Sequence, residues 1–212
     1  MSDTSVPGPL DGTRVIDVGV LVQGPQAAQM LYELGAEVIK VELPGVGDHA
    51  RWVPIAETDR RAPYFIACNR GKRSIAVDLR TDAGRRVFLD LVATADVVVS
   101  NFALGTMDAW GLGYDELAAV NPGIVFAAGT AYGAVGAAAR RKGADLGGQV
   151  AGGLARAMAD GDTNPSAAGV TIADHIASQN IVSGVLASLL ARARTGTSLL
   201  YTSPSPREHL SY

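Results

Sequence analysis

A single cysteine, Cys68, occurs in 212 residues. One thiol excludes a disulfide framework and any cysteine-rich metal centre. Histidine is nearly as scarce, and His49, His175 and His209 lack metal-ligand spacing, so no metal is expected. Positive charge is not in excess either. Eighteen Lys and Arg stand against 21 Asp and Glu, for a net charge of -3, with no basic block. A phosphate-binding footprint is therefore missing, and nucleic acid is not an expected partner. No apolar run reaches the length that predicts a membrane span. Residues 1–9 are polar and rich in Pro and Gly, without the basic-then-apolar pattern of a secretory signal. These absences together predict a cytoplasmic protein.

What remains is a globular composition: 48% hydrophobic and 18% charged residues. The chain alternates. Residues 13–20 (TRVIDVGV) read as a buried strand, broken by Gly24-Pro25. Pro25 suits the first turn of a helix, in which Ala27, Met30, Leu31 and Leu34 recur at helical spacing until Gly35. Residues 37–43 (EVIKVEL) form the next strand, which completes a βαβ unit with parallel strands. The pattern recurs with a strand at 74–79 and a helix from Thr81-Asp82 to about 93. A strand at 95–100, a short helix at 114–120 and a strand at 123–128 follow. Such alternation predicts an α/β fold with a doubly wound, mostly parallel sheet.

Beyond residue 129 the chain turns Gly- and Ala-rich, with helical character over 146–158. Residues 171–194 then form the longest helical segment, with Arg192 and Arg194 at its C-terminal end and Gly196 beyond. The domain spans residues 1–197. Residues 198–212 carry two Ser-Pro pairs and no periodicity. They resemble translated adaptor sequence and are expected to be an unstructured tail foreign to the fold.

Several motif look-alikes fail on context. Gly45-Val46-Gly47-Asp48-His49-Ala50 matches a dinucleotide fingerprint on paper, but Trp52, Val53 and Pro54 prevent the helix that should follow. Gly71-Lys72-Arg73-Ser74 has the ending of a P-loop. Ile66 stands where its first glycine belongs, and the segment leads into a strand. No G-x-S-x-G elbow is present.

Read in order, other segments resemble one family. They are residues 9–17 (PLDGTRVID), 23–25 (QGP), 34–42 (LGAEVIKVE) and 44–48 (PGVGD), then 69–79 (NRGKRSIAVDL), 95–102 (ADVVVSNF), 111–114 (GLGY) and 121–122 (NP). On these the chain resembles the family III (CaiB/BaiF-type) coenzyme A transferases over residues 9–196. The resemblance implies a Rossmann-like large domain, cut to its N-terminal part, since members run to about twice this length. It also implies a smaller second domain and an interlaced homodimer when full length. The substrates are an acyl-CoA and a carboxylic acid, with coenzyme A as substrate and product and no metal.

The implied nucleophile is Asp174, where a loop enters the long helix. A first-turn carboxylate meets free backbone N–H groups and the positive helix end, which should favour its ionised form. The bland reading is that Thr171-Ile172-Ala173-Asp174 is a capping box. Asp145 is implied as a second catalytic residue. Implied CoA contacts are Lys142, Val22 and Gln23, then Val77, Asp78, Leu79 and Arg80, then Asn101, Phe102 and Ala103. These lie where open α/β sheets place ligands, beyond the C-terminal ends of strands. Arg80 is suited to a phosphate; Phe102 equally suits the core. Leu43 and Ala109 depart from arginines that some members place there. The related α-methylacyl-CoA racemases carry a histidine base just before the aspartate, where this chain has Ala144. That alternative, and a silent CoA-binding fragment, remain the competing readings.

Overall fold

A computed structural model describes residues 7–54, 56–159, 164–196 and 200–203. Six strands are described: β1 (Arg14–Asp17), β2 (Glu37–Glu42), β3 (Arg73–Ala76), β4 (Val97–Ser100), β5 (Val125–Gly129) and β6 (Leu200–Ser203). Their order is β3-β2-β1-β4-β5-β6, and every neighbouring pair is parallel. Among the described residues the α-helices are α1 (Gln23–Glu33), α2 (Pro63–Asn69), α3 (Asp82–Val92), α4 (Thr106–Ala109), α5 (Tyr114–Val120), α6 (Asp145–Ala151), α7 (Leu154–Ala157) and α8 (Ile172–Thr195). The sheet winds outward in both directions from β1 and β4, as the alternation predicts.

A parallel sheet needs cover on both faces. On one face α1 and α8 bury Val15, Val38, Val97 and Val125 against Ala27, Leu31, Ile181 and Val185. On the other, α3 and α5 bury Ile16, Val98 and Phe126 against Phe88, Val92 and Leu117. Each such Val, Leu, Ile or Phe side chain contributes about 1.5–3 kcal/mol on burial. Arg192 ties the C-terminal end of α8 to the sheet. Its guanidinium donates to the Gly123 carbonyl at 2.6 Å and to Asp96 Oδ1 at 2.7 Å.

Three expectations need correction. Residues 200–203, assigned to an unstructured tail, form β6 on the free edge of β5, where parallel pairing satisfies backbone groups on both strands. Residues 198–199 and 204–212 lie outside the described residues. By length and composition alone, α8 is apolar enough to cross a membrane, contrary to the reading that no stretch is. Here its buried residues Ser178, Ile181, Val182, Gly184, Val185 and Ser188 pack as a core helix. The helical stretch expected over 146–158 is two short helices, parted where Gly153 takes φ 82°.

Candidate active site at the C-terminal edge of the sheet

Because all strands run the same way, the loops after β1, β3, β4 and β5 share one edge of the sheet. The switch in strand order lies between β1 and β4, and the loops there touch. Asn101, just after β4, accepts the Val20 N–H at 2.8 Å and donates to the Val20 carbonyl at 2.9 Å. Its amide thus holds the β1–α1 loop with one donor and one acceptor bond.

Gln23 opens α1 and is buried. Its side-chain amide lies over the end of β5, where a Cβ on Gly129 would stand 2.5 Å from Gln23 Oε1. A larger residue there would have to push the Gln23 side chain and Ile181 aside. The Ser178 hydroxyl on α8 lies 2.8 Å from the Gln23 carbonyl and 2.8 Å from the Asp174 carbonyl, so its one proton serves both. The loop after β1 and the start of α8 are therefore joined beside Asp174.

Asp174 and Asp145, far apart in sequence, are neighbours. Asp145 Oδ1 accepts the Asp174 backbone N–H at 3.0 Å, capping α8 from outside the helix. Thr171, at the N-cap, makes no side-chain capping bond, so the capping-box reading fails. Gln149 is buried and holds Asp145 in place. Its Nε2 lies 2.5 Å from Asp145 Oδ2 and 3.0 Å from the Val170 carbonyl, while its Oε1 accepts the Ala168 N–H at 2.9 Å. No hydrogen bond reaches the Asp174 carboxylate from the described residues, and the side chain is half-buried. Burial first, then the Asp145 charge, push its carboxyl up to about 6. The expectation that the helix end lowers it is reversed, because desolvation and a like charge outweigh the dipole. At neutral pH about nine-tenths of it is still ionised, and a more basic carboxylate is a better nucleophile.

The other predicted residues divide by environment. Val22 and Leu79 are buried in the core, so their side chains pack. Phe102 meets Trp110 edge to face at 5.2 Å. Val77 and Asp78 are half-buried, Ala103 and Lys142 are exposed, and all sit on edge loops. Arg80 is forked onto Asp78, with Nε at 2.8 Å from Oδ1 and Nη2 at 2.7 Å from Oδ2. That pairing holds the Asp78 carboxyl at about 2 and uses two of the five guanidinium N–H donors. His175, beside Asp174, pairs with Gln26 of α1 and not with the nucleophile candidate.

Sequence reasoning missed a buried ionic cluster beneath the β1–α1 loop. Asp17 is 0% exposed and Lys40 1% exposed. Lys72 Nζ donates to Asp17 Oδ2 at 2.8 Å, to the Pro25 carbonyl at 2.7 Å and to Asn69 Oδ1 at 3.0 Å. Lys40 Nζ donates to the Gly19 carbonyl at 2.9 Å and lies 2.9 Å from Asp48 Oδ2. Arg51 forks onto Glu42 at 2.8 and 2.9 Å, and Ser74 donates to Glu42 at 2.8 Å. Burial acts to raise the Asp17 carboxyl, but Lys40 and Lys72 outweigh it and hold Asp17 below its ordinary range. Buried charges persist only when paired. The available signal was a lysine and a glutamate inside β2, a strand whose parallel sheet is covered on both faces.

Comparison with known proteins bears on the family and the fold. Residues 10–199 match the family description CoA-transferase family III. A probable fatty acyl-CoA transferase of Mycobacterium tuberculosis, Rv3272, is 42% identical over 190 residues, covering 89% of this chain and 48% of that protein. Succinyl-CoA–D-citramalate CoA-transferase of Chloroflexus aurantiacus is 37% identical, covering 92% of this chain and 49% of that protein. The solved structure of a CaiB/BaiF family protein from Brucella suis superposes with a TM-score of 0.86 at 41% identity, over 92% of this chain and 53% of that one. The chain thus spans about half the length of the curated relatives it matches.

Proposed function

Because the chain belongs to CoA-transferase family III, we propose that it supplies the nucleophile side of an acyl-CoA:carboxylate CoA-transferase site. Asp174 is the nucleophile. The observation that carries this is its half-buried carboxylate, free of hydrogen bonds among the described residues and raised to about 6, at the loop edge of the sheet.

The chemistry balances without an external base. An Asp174 oxygen attacks the thioester carbonyl of the donor, the C–S bond breaks, and an acyl-aspartyl anhydride and a CoA thiolate result. The thiolate attacks the Asp174 carbonyl, releasing the donor acid and leaving an aspartyl-CoA thioester. The acceptor carboxylate then repeats the sequence in reverse, forming a second anhydride, and the thiolate takes its acyl group. Asp174 is regenerated. Asp145 holds the Asp174 backbone at its N–H and raises the basicity of its carboxylate.

CoA is placed along the edge loops, with Gln23 and residues 77–80 and 101–103 below it and Lys142 at the rim. Lys142 is free to neutralise a phosphate. An interlaced homodimer in the cytoplasm completes the proposal. Support for the dimer comes from apolar residues that α8 leaves exposed, Ile176, Leu186 and Leu190.

The test is trapping. In a full-length enzyme carrying this segment, hydroxylamine added during turnover is expected to convert Asp174 to its hydroxamate, and Asp174→Ala to abolish both adduct and CoA exchange. Exchange at the wild-type rate in Asp174→Ala refutes the proposal. Exchange of the substrate α-proton with deuterated water, without CoA transfer, marks a racemase instead.

A further inference from the structure

Leu21 is the one non-glycine residue with positive φ among the described residues, at 63°. An L-residue with a side chain costs about 1–2 kcal/mol in that region, so its neighbours must hold it there. Side chains from separate strands and loops do so. Asp17 Oδ1 accepts the Gly19 N–H at 2.8 Å, and Lys40 donates to the Gly19 carbonyl at 2.9 Å. Asn101 brackets Val20. Asp48 Oδ1 accepts the Leu21 N–H at 2.8 Å and that of Ala50 at 2.8 Å. Asp48 is itself buried. Its second oxygen lies 2.9 Å from Lys40 Nζ, an ion pair whose angle falls short of a hydrogen bond.

Two residues after this turn comes Gln23, whose carbonyl shares the Ser178 hydroxyl with Asp174. A continuous path of contacts therefore runs from Asp48 through Leu21 and Gln23 to the backbone of Asp174. We propose that Asp48 is a positioning residue of the transferase site: it fixes the left-handed turn at Leu21, and through that turn the seat of Gln23 and Asp174. This inference rests on reading Asp174 as the nucleophile. Being buried, Asp48 acts through Leu21 and not on substrate.

Asp48→Ala, Asp48→Ala with Leu21→Gly, and Leu21→Val are compared in a full-length enzyme carrying this segment. The readouts are the rate of hydroxylamine trapping at Asp174 per folded molecule and the KM for acyl-CoA. Asp48→Ala is expected to slow adduct formation about ten- to a hundredfold, the scale of a small misplacement, with a smaller change in KM. Glycine accepts positive φ without penalty, so adding Leu21→Gly should recover a large part of the loss. A purely structural role predicts no such recovery. Leu21→Val leaves the ionic cluster intact but resists positive φ, and is expected to slow the reaction at least about fivefold; it carries the test if Asp48→Ala does not fold. Wild-type rates in Asp48→Ala or in Leu21→Val, or no recovery in the double variant, overturn the inference. Absence of any Asp174 adduct in the wild type removes the nucleophile reading and this inference together. A wild-type adduct with unchanged variant rates removes this inference alone.

Discussion

Replacing Asp174 by asparagine should make the chain more stable, and only where the carboxylate is charged. Burial and then the Asp145 charge raise this carboxyl from its ordinary 3.8 to about 6. Two units at about 1.4 kcal/mol each set a ceiling of about 3 kcal/mol. The group is half-buried, so solvent screening reduces the expected effect to about 1–2 kcal/mol. The sign follows from linkage. The folded state holds the proton more tightly than the unfolded chain does, so the protonated form is favoured by folding. The benefit of protonation is complete below 3.8 and is lost as pH rises through about 6. Asparagine has nearly the same shape and no charge at any pH. In urea titrations Asp174→Asn should therefore gain about 1–2 kcal/mol at about pH 8, less between 6 and 4, and nothing at about pH 3.5, with the slope m unchanged. Asp145→Asn in the same background should shrink the gain, since it removes the second cause. A variant no more stable than wild type at about pH 8, or a gain persisting at about pH 3.5, refutes the reasoning.

Two further outcomes follow from the same geometry. Gln149→Leu leaves Asp145 Oδ2, the Ala168 N–H and the Val170 carbonyl without their partner, and should cost about 2–3 kcal/mol in urea unfolding; a loss under about 0.5 kcal/mol contradicts the clamp. Burial works against the Glu42 carboxylate, but bonds from Arg51, Ser74 and Asp48 hold it at about 2. Its stabilising contribution is thus present above 4.5 and lost as pH falls toward about 2. Glu42→Gln should flatten that acid limb in a pH series of thermal midpoints, and an unchanged limb contradicts it.

The sheet was legible because its strands are short β-branched runs divided by helical periodicity: Val97, Val98 and Val99 announce β4 without any tertiary knowledge. Long α8 was equally plain. By contrast α2 (PYFIACN) mixes aromatic and β-branched residues and has no amphipathic stripe; it starts at Pro63 and packs on α1. β6 was hidden by its Ser-Pro surroundings, and it becomes a strand by pairing with β5. Of the site, Asp174 and Asp145 came from the family resemblance, and the structure supplies their contact across 29 positions. The shift of Asp174 was misjudged because a helix end is local and visible, whereas burial and a non-local carboxylate are not. The ionic cluster was signalled only by Lys40 and Glu42 inside β2, and its pairings were hidden for the same reason. Asp17, Lys40, Asp48 and Lys72 sit on four separate segments, and only the fold brings them together.

The most direct measurement follows oxygen atoms. When a full-length enzyme carrying this segment turns over an acyl-CoA and an acceptor acid labelled with ¹⁸O in its carboxylate, the acid's attack on the aspartyl-CoA thioester leaves one labelled oxygen on Asp174. After a single turnover, mass spectrometry of the peptide containing Asp174 should show one ¹⁸O in that carboxylate and none in Asp145. Turnover that transfers CoA while Asp174 stays unlabelled contradicts its role as the nucleophile.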